Sequence, residues 1–151
     1  MSARVVSKRW DDHFLALAHV ASGMSKDRST KVGAVIVGPD RDIRATGFNG
    51  FPRGCDDDVE ARHERPAKYL WTEHAERNAI YHAARTGVSV KGCEMIVTCH
   101  PCADCARAII QSGIARLLIQ GPIVIPPAFA ESCDTAAQML EEVGVTVRIA
   151  P

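Results

Sequence analysis

The sequence predicts an α/β fold of three layers, α-β-α, built on a mixed five-stranded sheet whose fourth and fifth strands run parallel. Three observations predict it. Short apolar, β-branched runs alternate with segments of helical periodicity between residues 74 and 149. Each strand–helix–strand unit in that half calls for a right-handed crossover and parallel neighbours. The first two strands, by contrast, are joined by the short turn Gly38-Pro39-Asp40 and pair antiparallel.

In chain order, Trp10, Phe14, Leu17, Ala18 and Ala21 fall at helical spacing and predict a first helix over 10–24, with Met24 closing its last turn. The polar stretch 25–30 is a loop. Val32 to Val37 reads as a buried strand, and 43–48 as its weakly patterned return near a sheet edge. Residues 49–70 form a long irregular section, shaped by glycines, a proline and aromatics; Asp56-Asp57-Asp58 within it reads as a solvated turn. A second helix runs from about His74 to Arg85 and stops at Gly87. A third strand follows over 94–98. Pro101 opens a third helix through Ser112, with Ala106, Ile109 and Ile110 as its buried stripe. The fourth strand covers 115–120. A fourth helix from about 128 carries Phe129, Cys133, Ala136, Ala137, Leu140 and Val143, and the last strand covers 145–149. With no internal repeat and no linker, residues 1–151 read as one domain.

Composition narrows the classes of function. Lys plus Arg and Asp plus Glu both total 18, so the formal net charge is zero and there is no general footprint for wrapping a nucleic acid. A small-molecule partner is favoured. The chain has no run of about 18 apolar residues and no apolar signal-peptide core at its N-terminus, which argues against a membrane protein. Of six cysteines, Cys102 and Cys105 form a Cys-x-x-Cys pair, and Cys55, Cys93, Cys99 and Cys133 are scattered. That spacing fits a reduced, cytoplasmic protein better than a disulfide scaffold.

The chemistry is concentrated in His74-Ala75-Glu76 and Pro101-Cys102-Ala103-Asp104-Cys105. His74, Cys102 and Cys105 supply three good ligands for Zn2+, the number typical of a catalytic site that leaves its fourth position to water. Both groups fall at predicted helix starts, where exposed backbone donors and a partial positive charge favour thiolate over thiol. Glu76 is spare. In mid-helix it would point away from His74, but in a first turn bordering the site it reaches a metal-bound water and can shuttle its proton. Two other readings stand beside this one: a structural zinc module closed by Cys99 or His100, and a Cys-x-x-Cys redox pair. Cys55 and His63 with an acidic neighbour offer a conceivable second metal site.

The pattern His-x-Glu followed by Pro-Cys-x-x-Cys is that of zinc deaminases acting on nucleobases and nucleotides. Together with Thr30-Lys31-Val32-Gly33-Ala34 and Gly47-Phe48-Asn49-Gly50-Phe51-Pro52-Arg53-Gly54, it resembles the deoxycytidylate (dCMP) deaminase family within the cytidine-deaminase-like superfamily, over most of residues 10–120. The resemblance implies a cytidine-deaminase-like fold and hydrolysis of dCMP to dUMP and ammonia. It implies that zinc-bound hydroxide attacks the amine-bearing ring carbon, with Glu76 as proton shuttle. It further implies a homo-oligomer, hexamer or dimer, and in many members regulation by dCTP and dTTP. By position, Asn49 matches the asparagine that bonds the sugar, and the Ala75 backbone lies against the base. The alternative for Asn49 is a turn residue, since Asn-Gly is a common turn pair. Arg77 either reaches substrate or bridges helices. The cations Arg28, Lys31, Arg53, Arg62, Arg65 and Lys68 are dispersed in sequence and mark no obvious phosphate site. A nucleoside, a free or modified base, or a base in tRNA are the alternative substrates. The apolar segment 121–127 reads as an interface or a hydrophobic lid, and it shares with 49–70 the expected subunit contacts.

Overall fold

A computed structural model describes residues 6–151; of the expected domain, residues 1–5 lie outside the described part. The helices are α1 (Lys8–Ser22), α2 (Lys68–Trp71), α3 (Ala75–Thr86), α4 (Ala103–Gln111) and α5 (Ala130–Glu142). The strands are β1 (Gly33–Val37), β2 (Ile43–Phe48), β3 (Glu94–Val97), β4 (Arg116–Gln120) and β5 (Thr146–Ala150). They form one sheet in the order β2-β1-β3-β4-β5. β1 is antiparallel to both β2 and β3, while β3, β4 and β5 run parallel. The mixed sheet and its parallel C-terminal half are therefore as the sequence predicts.

Strand alternation sorts the core into two layers. Ala34, Ile36, Met95, Val97, Leu117 and Ile119 meet the small residues Ala75, Ala79, Ala83 and Ala106, with Ile109, Ala136 and Leu140. On the other face Val35, Val37, Ile96, Leu118 and Ala150 pack against Phe14, Leu15 and Ala18 of α1. Alanines on α3 let its backbone come close to the sheet. At Gly47 of β2 the approach is so close that an added Cβ would sit 2.4 Å from both the Ala75 carbonyl oxygen and the Ala79 nitrogen. Away from that end, the buried Glu94 carboxylate is paired with Arg116 at 3.3 Å and Arg148 at 3.5 Å, and Arg148 also holds Asp11 of α1.

Several boundaries differ from the sequence expectation. α1 starts two residues earlier and ends before Met24, which is exposed beyond the turn at Gly23. α4 begins at Ala103 rather than Pro101, because Cys102 is extended (φ −80°, ψ 174°) and acts as its N-cap. The 49–70 section contains a 3-10 turn at Glu60–His63 and leads into α2, so it is more regular than its composition suggests. A 3-10 turn at Pro127–Phe129 precedes α5. Among the described residues no helix is long and apolar enough to cross a membrane, and all six cysteines are free.

The Gly47 contact sets the seat of α3. Gly47→Ala is expected to lower stability by about 1–3 kcal/mol through overpacking, read as a lower urea midpoint at unchanged m-value.

Candidate active site

The carboxyl ends of β3 and β4 and the start of β1 lie at one end of the sheet, where open α/β sheets commonly place ligands. α3 and α4 both begin there. His74 is the N-cap of α3 and Cys102 the N-cap of α4, with Cys105 in its first helical turn. Both cysteine sulfurs lie 3.4 Å from His74 Nδ1. All three ligand atoms fall within 4.8 Å of one another, the one such His/Cys/acid group among the described residues. A tetrahedral zinc with S at about 2.3 Å and N at about 2.0 Å spans S···N separations of about 3.5 Å, so the donor set and its spacing suit that ion.

Neither ligand-bearing N-cap spends its side chain on capping. On α4 a neighbour contributes: the Ala103 backbone N–H donates to Ser132 Oγ of α5 at 2.9 Å, and the Cys102 sulfur is turned to the His74 and Cys105 cluster. The Cys102 thiol is held down to about 4, by the hydrogen bond from Cys105 first and then by His74, against the effect of burial. Sharing that proton with Cys102, together with burial, pushes Cys105 up. Its partner in the hydrogen bond, Cys102, likewise raises the His74 imidazole. The proton held between these groups is what a metal would displace.

Glu76 sits behind the ligands, 3% exposed, with Oε2 3.5 Å from Cys105 Sγ. Burial pushes its carboxyl up. Cys99 and His100, the expected closing ligands of a structural site, do not join the group: the His100 ring is hydrogen-bonded to the Pro101 carbonyl at 2.9 Å. Nor do Cys55 and His63 assemble a second one. His63 bonds the Asp57 carbonyl and stacks on Phe51 at 4.7 Å.

A cavity of about 790 Å³ opens onto the cluster, lined at its inner end by His74, Ala75, Glu76 and Cys102. Asn49 and Ala75, two of the expected substrate contacts, line it. Asn49 is 7% exposed; its Oδ1 accepts from the Val32 N–H at 2.8 Å and its Nδ2 donates to the Thr30 carbonyl at 2.9 Å. One N–H and one lone pair of its amide remain for a ligand. Arg77, the third, is not brought to the cavity. It binds Glu73 at 2.5 Å and reaches Asp104 at 3.5 Å, so it bridges the starts of α3 and α4.

The dispersed cations separate cleanly. Lys31, Arg65 and Lys68 line the cavity; Arg62 lies over the Trp71 ring at 3.9 Å and Arg28 pairs with Glu60. Sequence reasoning missed Asp27, which pairs with Lys68 at 3.1 Å. Burial alone would raise the Asp27 carboxyl, but the Thr30 and Ser29 backbone N–H groups and Lys68 outweigh it and hold it below the usual range. A short polar residue two and three positions before those donors is the sequence signal for such a turn. It also missed Tyr69 and Phe129, which line the cavity and whose rings meet edge to face at 6.5 Å. Of the 121–127 segment, read as an interface or a lid, Pro122 through Pro127 line one wall of the cavity, followed by Ala128 and Phe129.

Comparison with known proteins places this geometry. The model for the cytidine and deoxycytidylate deaminase zinc-binding region matches residues 8–120. The mouse and human deoxycytidylate deaminases are each 38% identical over 146 residues, covering 92% of this chain and 78% of their own. A dCMP deaminase from the cyanophage S-TIM5, solved in complex with dCMP and dUMP, aligns with a TM-score of 0.79 at 26% identity, covering 97% of this chain and 100% of that one. The chain belongs to the cytidine and deoxycytidylate deaminase family.

Proposed function

We propose that the chain, acting as one catalytic unit, is a zinc-dependent hydrolase that converts dCMP to dUMP and ammonia. The observation that carries this is the buried Glu76 carboxylate beside a three-ligand His74, Cys102 and Cys105 cluster at the floor of a nucleotide-sized cavity. Zinc held by those three residues supplies Lewis acidity that brings a water towards ionisation at neutral pH.

The remaining work falls to side chains. Hydrolysis forms a C–O bond at the amine-bearing ring carbon, breaks the C–N bond and moves two protons from water to the base. One goes to the adjacent ring nitrogen and one to the departing amine. Two carboxylates line the cavity, and Asp27 is committed to Lys68 and two backbone donors. Glu76 is left as proton carrier. Its burial keeps water away and raises its pKa, which suits a group that must both take and return a proton. Asn49, with its unused N–H and lone pair, is assigned to a sugar hydroxyl, and the Ala75 backbone to the base.

Lys31, Arg65 and Lys68 are assigned to the 5′-phosphate end. Arg65 is hydrogen-bonded to the Tyr69 hydroxyl and Ser29, and Lys68 to Asp27. Lys31 forms no ion pair among the described residues. The names of the mouse and human relatives, and the nucleotides held by the cyanophage enzyme, support a nucleotide over a nucleoside or free base. Self-association, as hexamer or dimer, is supported by Leu70 of α2 and Val124, exposed to 90% and 78% in the two segments expected to make subunit contacts. Six unpaired thiols support a reducing, cytoplasmic setting.

Glu76→Gln is expected to lower kcat for dCMP by about 10²–10⁴-fold, with zinc content per chain unchanged in the same sample. Turnover surviving in that variant would refute the proton-carrier role. Lys31→Ala is expected to lower kcat/KM for dCMP by about 10–100-fold, the worth of one charge-assisted contact. The slow rate on deoxycytidine should stay put. Equal wild-type rates on dCMP and deoxycytidine would refute the phosphate assignment.

A further inference from the structure

We infer that Arg77 is a positioning residue: it clamps the two ligand-bearing helix starts together and does not meet the substrate. The inference rests on reading the cluster as a zinc deaminase centre. Arg77 follows Glu76 on α3, and about 100° of helical rotation separates the two side chains. Glu76 is turned inward and buried. Arg77 is turned towards α4.

Its fork contacts two segments at once. Nε donates to Glu73 Oε1 at 2.5 Å, and Nη2 lies 2.5 Å from the same oxygen as an ion pair. The same oxygen accepts the backbone N–H of His74 at 3.0 Å, so the carboxylate that holds Arg77 also fixes the backbone of a metal ligand. Glu73 is itself pinned, exchanging backbone hydrogen bonds with Gly50 at 3.0 and 2.8 Å. On the far side Nη1 lies 3.5 Å from Asp104 Oδ2. Asp104 stands between Cys102 and Cys105 in the first turn of α4.

The chain of contacts thus runs from Gly50 through Glu73 and His74 to Arg77, and on to the turn bearing both thiolates. Side chains of Arg77 and Glu73 are 20% and 23% exposed, so water screens this pair less than a surface one. Sliding of α3 against α4 would alter both 3.4 Å sulfur–nitrogen separations together. An arginine suits the task because its rigid fork spans two carboxylates, whereas a lysine is a single point charge. Arg107 also pairs with Asp104, but from within α4, and forms no ion pair with another element among the described residues.

The test uses zinc-loaded protein and measures transfer of zinc to a chromogenic chelator, alongside kcat and KM for dCMP. Arg77→Ala is expected to speed zinc transfer by about 10–100-fold, the usual effect of losing an outer-shell partner. Its kcat should fall with KM held within about threefold, as for a group that does not bind substrate. Arg77→Lys should recover part of both losses, and Arg107→Ala should match wild type in zinc transfer. Should Arg77→Ala fail to fold, Asp104→Asn decides, since that half-exposed carboxylate is dispensable to the core; it should speed zinc transfer severalfold. Unchanged zinc transfer in Arg77→Ala, or in Asp104→Asn where that variant decides, overturns the clamp. So does a KM rise of tenfold or more with zinc transfer unaltered, which would make Arg77 a substrate contact. A wild-type protein that holds zinc yet leaves dCMP untouched would sink the proposed substrate while the zinc-transfer comparison still tests the clamp.

Discussion

Two helices begin at one point, and the site follows from that. Each N-terminus carries unpaired backbone donors and a partial positive charge, so aiming two at one place is unfavourable unless negative charge lies between them. The sequence supplies that charge: Cys102 and Cys105 as potential thiolates, and Glu73, Glu76 and Asp104 at or beside the two first turns. The electrostatics that let α3 and α4 converge are therefore those that prepare a soft, anionic donor set for a divalent ion. Packing cooperates. Alanines on α3 and a bare Cα at Gly47 let the helix lie flat enough on β2 and β1 to bring His74 level with the end of β3.

Much of this was legible in the sequence because it is local. The order of elements, the antiparallel first pair and the exposed edge at β2 follow from runs of a few residues and from turn chemistry. His74, Cys102 and Cys105 announced themselves by residue type and spacing. Less legible were facts that depend on what stands opposite. Pro101 is a good opening residue for a helix, yet α4 starts two positions later because Cys102 must remain extended to present its sulfur. Sequence spacing says that Arg77 points away from Glu76, but not whether it meets a ligand or the turn of another helix. The cations at 31, 65 and 68 look dispersed along the chain. The fold of the 49–70 section, with its short helix α2, brings them around one cavity.

Asn49, which the sequence offers as a turn residue or a ligand contact, is tied to neighbouring backbone and also lines the cavity. In the structure its amide is bonded on both sides of Lys31, to the Thr30 carbonyl and the Val32 N–H, while its own carbonyl accepts the buried Ser25 hydroxyl at 2.7 Å. The backbone flanking Lys31 is thereby fixed by a side chain that also lines the cavity. Burial makes these bonds costly to lose, since each orphaned partner would forgo water as well. A change at Asn49 would thus alter the cavity wall in two ways: directly through the missing amide, and indirectly by loosening the backbone that carries Lys31. Because the same segment continues through Gly50 to the backbone of Glu73, one wall of the cavity and the backbone before His74 share one strip of chain. The strip from Gly47 to Gly50 thus ties three things together: the seat of α3 at Gly47, the cavity wall at Asn49 and the backbone before His74 at Gly50.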